Sequence, residues 1–135
     1  MVKWVVIYLL LVCPSIASAE DLYIADTAAG ANDGTSCANA HDDVWFNTAA
    51  NWGGGAGEID PGDTARLCGT FTFTAGTRGL IVKGSGASGN PIRIVFETGA
   101  VLQSPYFMGY NLGGACPGAG QCGGAINVEG FSYLI

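Results

Sequence analysis

The chain has 135 residues, of which 49% are apolar and only 12% charged, with 22 glycines and a formal net charge of −6. That acidic balance argues against nucleic acid and against a polybasic membrane patch, and an acidic polysaccharide would need a local site rather than bulk charge. Few charges, many glycines and no long amphipathic pattern after residue 52 predict short strands between turns, a mainly β chain.

Residues 1–19 read as a secretory signal peptide. Lys3 supplies the positive end, Trp4 to Cys13 is an unbroken apolar run, and Ala17-Ser18-Ala19 offers small residues before a cut at Glu20. The run is ten residues long and ends at Pro14, whereas a bilayer-spanning helix needs roughly 20. Acylation at Cys13 is disfavoured by the bulky Val12 before it. The predicted product, residues 20–135, sets Arg66, Arg78, Lys83 and Arg93 against all eleven acidic side chains, a net charge of about −7. It is expected outside the cell or in the periplasm, with no membrane attachment after cleavage.

Four cysteines remain, Cys37, Cys68, Cys116 and Cys122, and an even count in an exported chain favours disulfides. Three pairings are open. Zinc is disfavoured, because paired Cys-x-x-Cys spacing is absent and the only histidine, His41, lies far from the later cysteines.

In chain order, Leu22-Tyr23-Ile24 is a short strand, followed by a turn-rich stretch ending in Asn32-Asp33-Gly34. Residues 39–52 fit an amphipathic helix, with Val44, Trp45, Thr48, Ala49 and Trp52 on one stripe, Asn39 as its cap and Asp42 in the first turn. Gly53-Gly54-Gly55 ends it. Short apolar runs then recur after turns: Thr64 to Gly69, Leu80 to Val82, Ile92 to Phe96 and Ala125 to Val128. Those centred on Leu67, Ile81 and Ile94 are spaced by 14 and 13 residues and alternate with period two. Alternation alone leaves a β-sandwich and a β-solenoid both open.

The phrase Asn32-Asp33-Gly34-Thr35, a Trp-bearing helix, Pro61-Gly62-Asp63-Thr64 and then Gly89-Asn90-Pro91-Ile92-Arg93-Ile94 follow one another in this order. The series resembles the opening of pectate lyase-like right-handed parallel β-helix proteins, over roughly residues 22 to 135. The resemblance implies an all-β solenoid with a short N-terminal capping helix that plugs the open end of the coil, truncated after the first few coils. It implies a plug role for Trp45 and Trp52, and a new strand starting at Phe131 to Ile135. On that placement Cys37 pairs with Cys68, tethering the segment that enters the helix to the first full strand. Cys116 pairs with Cys122 and closes a Pro-Gly loop.

The family contains lyases with Lys or Arg bases and hydrolases with carboxylate pairs, but no residue here matches those motifs, so no catalytic residue is assigned. The expected function is a secreted β-helix protein of unassigned activity. The alternative is the N-terminal part of a polysaccharide lyase or glycoside hydrolase whose centre lies beyond residue 135. Tyr106, Phe107 and Tyr110 are the candidate contacts for an extracellular polysaccharide, or else they cover the side of the coil. His41-Asp42-Asp43 reads as solvated charge at a helix start rather than as a base or metal site. Glu58 with Asp60 and Asp63, and Asp26 with Asn32 and Asp33, are weak calcium sets that turn formation explains equally well. Lys83 and Arg93 read as solvent-facing strand residues, or as anchors for a uronate carboxylate. No metal ligand or cofactor is assigned, and calcium is left open for the full-length protein.

Overall fold

The computed structural model describes residues 18–74, 79–103, 125–128 and 130–135. Residues 1–17 of the expected leader lie outside that set, as do Tyr106, Phe107, Tyr110, Cys116 and Cys122. The described chain is mostly strand: β1 (Asp21–Ala25), β2 (Thr64–Cys68), β3 (Thr70–Thr72), β4 (Leu80–Ile81), β5 (Arg93–Phe96), β6 (Val101–Gln103) and β7 (Ile126–Asn127). One α-helix, α1 (Asp43–Phe46), interrupts them.

Every strand pair is parallel, and none joins strands adjacent in sequence except β1 and β2, which the α1 segment separates. One sheet runs β1-β2-β5, a second pairs β3 with β6, and a third pairs β4 with β7. From β2 onwards the chain therefore passes through the three sheets in one order and then repeats it. It returns once more to the first sheet, where Leu134 bridges Ile92 and the Ile94 amide donates to the Ile135 carbonyl at 2.9 Å. Phe131 to Ile135, expected to open a strand, makes this one isolated bridge at Leu134 and no strand.

Side chains alternate as pleating requires. In β1 Leu22 and Ile24 are buried, in β2 Ala65 and Leu67, and these pair in register as Leu22 with Ala65 and Ile24 with Leu67. The core continues through Phe71, Phe73, Leu80, Val82 and Ile92. On the other face of β1-β2-β5, Arg66 lies beside Tyr23 and Val95. Its Nη1 donates to Glu97 Oε1 at 2.8 Å, and its Nε lies 2.9 Å from Asp21 Oδ2. Both contacts are ion pairs. Both acids hold the guanidinium protonated, Glu97 most strongly.

The helix expected over residues 39–52 is a single turn with short 3-10 turns at Cys37–Asn39 and Ala49–Asn51 on either side. Its cap is Asp42, not Asn39: Asp42 Oδ1 accepts from the Trp45 amide at 2.7 Å. The backbone leaves helical geometry at Thr48 (φ −95°, ψ 119°). Just before it, the Asn47 side chain turns to β4, accepting from the Ile81 amide at 2.6 Å and donating to the Gly79 carbonyl at 3.4 Å. Breaking the helix there changes which face is buried. Phe46 is fully enclosed, Trp52 nearly so, and Val44 is exposed.

Candidate functional site

The helical turn packs against β1 and β4, and ring contacts fix it there. Phe46 meets Trp52 edge to face with centroids 4.9 Å apart, and Trp52 Nε1 donates to the Phe46 carbonyl at 2.7 Å. Trp52 then bridges Ile59. These two rings occupy core volume, so they are committed to packing.

His41 directly precedes the helical turn's Asp42 cap residue and is buried, not solvated as expected from its place at the helix start. Its backbone bridges Ile24, donating to the Tyr23 carbonyl at 2.9 Å and accepting from the Ala25 amide at 2.8 Å, so the ring is drawn inward with the strand. The imidazole stacks on Trp45 at 4.0 Å, and Nδ1 lies 3.0 Å from Asn32 Oδ1. Asn32 reaches it from a left-handed backbone conformation (φ 53°), which asparagine tolerates better than most residues. Burial lowers the pKa of the ring, against the weaker pull of Asp33 and Asp42. A neutral ring that donates from Nδ1 to Asn32 is the tautomer this network selects.

The acidic residues singled out in the sequence are largely engaged by backbone amides. Asp33 Oδ1 accepts from Thr35 at both its amide (3.1 Å) and its hydroxyl (2.7 Å), which lowers its pKa. Asp26 Oδ1 accepts from the Thr72 amide at 2.9 Å. Glu58 Oε2 accepts from the Gly55 amide at 2.9 Å. Asp63 is 3% exposed, and its two oxygens accept from the amides of Glu20 and Asp60, each at 2.7 Å. Asp60 differs: its Oδ1 is buried without a hydrogen-bond partner, and burial first, then the charge of Asp63, raises its pKa. Asp43 is raised too, by burial and then by Asp26.

Among the described residues, no three His, Cys, Asp or Glu side chains are grouped to hold a metal ion. Arg93 opens β5, whereas Lys83, expected on a strand, lies two residues past the end of β4 and belongs to no sheet. An open cleft of about 450 Å³ lies between the glycine-rich loop and the segment after β4, lined by Gly53, Gly54, Ile59, Asp60, Gly84 and Ser85. It brings together one carboxyl and one hydroxyl, and the Ser85 hydroxyl already accepts from the Ser132 amide at 3.2 Å.

Cys37 and Cys68 form a disulfide with Cα atoms 5.6 Å apart. It ties the turn that precedes α1 to the end of β2. Asn47 and Arg66 were not singled out by the sequence reading. No local pattern marks either: the partners of Asn47 lie at the start of β4, and the two acids that hold Arg66 are Asp21 in β1 and Glu97 just after β5. No described residue belongs to a helix long and apolar enough to cross a membrane. No protein-family model matches the chain, and neither the curated proteins nor the solved structures contain a match to it.

Proposed function

We propose that the chain is the exported N-terminal cap and first windings of a right-handed parallel β-helix of the pectate lyase-like kind, a scaffold segment without a reaction centre of its own. The observation that carries this reading is the repeated passage through three parallel sheets in one order, β2, β3, β4 and then β5, β6, β7. A crossover between parallel strands of one sheet is right-handed in nearly every fold, which supplies the hand. The α1 segment covers the first winding with Phe46 and Trp52, as an apolar end requires.

The chemistry of the described residues favours a scaffold over a catalyst. The single histidine is neutral, stacked and bonded to Asn32, and the carboxylates mostly accept from amides of their own loops. General acid–base catalysis needs a group held within hydrogen-bond reach of a reacting atom, in a cleft that admits substrate. The test is an assay of the exported chain on polyuronates and neutral glycans, following unsaturated-uronate absorbance and reducing ends. No turnover is expected. Turnover that disappears on His41→Ala, Lys83→Ala or Arg93→Ala would overturn the scaffold reading and favour a lyase or hydrolase.

A further inference from the structure

The Pro61-Gly62-Asp63 turn holds a carboxylate whose position has a consequence for how the chain starts. Asp63 is 3% exposed, and its Oδ1 accepts from the backbone nitrogen of Glu20 at 2.7 Å across 43 residues of sequence. The adjoining Glu20 carbonyl accepts from the Thr64 amide at 2.9 Å, so the start of β1 is fixed on both sides of this contact. Both ion pairs among the described residues belong to Arg66, which leaves the Asp63 carboxylate without a cationic partner there. A second carboxyl in the same turn, Asp60, has a buried oxygen with no hydrogen-bond partner. The buried carboxylate of Asp63 thus takes its one long-range hydrogen bond from the nitrogen that the expected leader cut would turn into a chain terminus.

We propose that Asp63 is a receptor for the α-ammonium of Glu20, so that removal of the leader creates a part-buried ion pair that locks β1 onto β2. The inference rests on the export reading above. Hydrolysis of the Ala19–Glu20 amide by a leader-removing protease consumes one water. It leaves a carboxylate on Ala19 and an amine on Glu20, which takes up a proton at neutral pH. The N–H···O contact becomes a charge-assisted one at the same place, and such bonds are roughly twice as strong as neutral ones. Ser18, Ala19 and Glu20, the described residues on either side of the cut, are exposed. The carboxylate that meets the new terminus is Asp63, and Asp21, the next residue, is shared with Arg66. Arg93 meets Asp63 through its amide, which donates to the Asp63 carbonyl at 2.9 Å.

The experiment exports the full precursor in four forms: native, with one Gly inserted between Ala19 and Glu20, and each of these with Asp63→Asn. Intact mass establishes the terminus, and thermal melting at pH 7 reads the lock. The inserted Gly keeps the Glu20 N–H but moves the ammonium away. It is expected to lower the melting temperature by ~5 °C, and this difference should vanish in the Asp63→Asn pair. NMR titration of the native product should place the Glu20 α-amine about one unit or more above the ordinary 7.7–8.0. That titration decides the matter even where Asp63→Asn fails to fold. A mass showing a terminus other than Glu20 would overturn the export reading and the lock with it. A Glu20 terminus with equal melting of the native and inserted forms and an ordinary α-amine pKa would overturn the lock alone.

Discussion

Replacing Cys37 and Cys68 together by Ser removes the covalent tie between the turn before α1 and the end of β2. The two residues are 31 apart in sequence, and the chain-entropy relation for a loop of that length gives roughly 3.5–4 kcal/mol of stabilisation, mostly by restricting the unfolded chain. For a domain of this size that corresponds to a fall of about 15 °C in melting temperature. The native contacts around the bond should survive, since Ala25 still pairs with Cys68's position and the β1–β2 register spans five residue pairs. The assay is thermal melting of the native protein and the double Ser variant, with peptide mapping under non-reducing conditions to establish the Cys37–Cys68 bond. A melting temperature within a degree or two of native would refute the entropic argument. So would a map joining Cys37 to Cys116 or Cys122.

Phe46→Ala should destabilise by about 3–5 kcal/mol, because it empties a fully enclosed ring site against Trp52, and denaturant unfolding followed by tryptophan fluorescence would measure it. Gly34→Ala should cost on the order of 1–3 kcal/mol: the backbone there has φ +70°, and an added Cβ would stand 2.7 Å from His41 Cδ2. His41 gives a pH signature. Its folded pKa lies below the unfolded value of about 6.5, so the folded chain binds fewer protons. The stability that the neutral buried ring provides is whole above that unfolded value and is lost as pH falls towards the folded pKa. Melting curves of native protein and His41→Gln should therefore converge as the buffer is acidified from pH 7 to 5, and a constant gap would contradict the assignment.

The strands were legible where alternation had room to appear. Ala65 and Leu67 in β2, or Leu22 and Ile24 in β1, carry period two over five residues. Thr70–Thr72 and Val101–Gln103 are only three residues long and follow glycine-containing corners at Gly69 and Gly99, so they escaped notice. The spacing of 13 and 14 residues was real in the sequence but does not join sheet neighbours. Thr64 pairs with Arg93 and Thr70 with Val101, one full passage of the chain later.

The long helix was an accident of periodicity. Val44 to Trp52 matches a 3.6-residue stripe, yet Asn47 finds better partners in the Gly79 carbonyl and Ile81 amide, which no local pattern encodes. His41 was misplaced for a related reason: its burial depends on a bridge to Ile24 and a partner at Asn32. The roles of Asp33 and Asp42 are short-range and could be read from the sequence as turn and cap chemistry. The contact of Asp63 with Glu20 spans 43 residues and could not.

The central claim is that successive passages of the chain stack in parallel, and backbone NOEs of the isotope-labelled protein test it directly. Parallel register requires Thr64 to lie beside Arg93 and Leu67 beside Phe96, with Thr70 beside Val101 and Thr72 beside Gln103. Cross-strand NOEs at both ends of each pair in that order are the predicted result. NOEs linking Thr64 to Phe96 and Leu67 to Arg93 would mean antiparallel strands and would contradict the account.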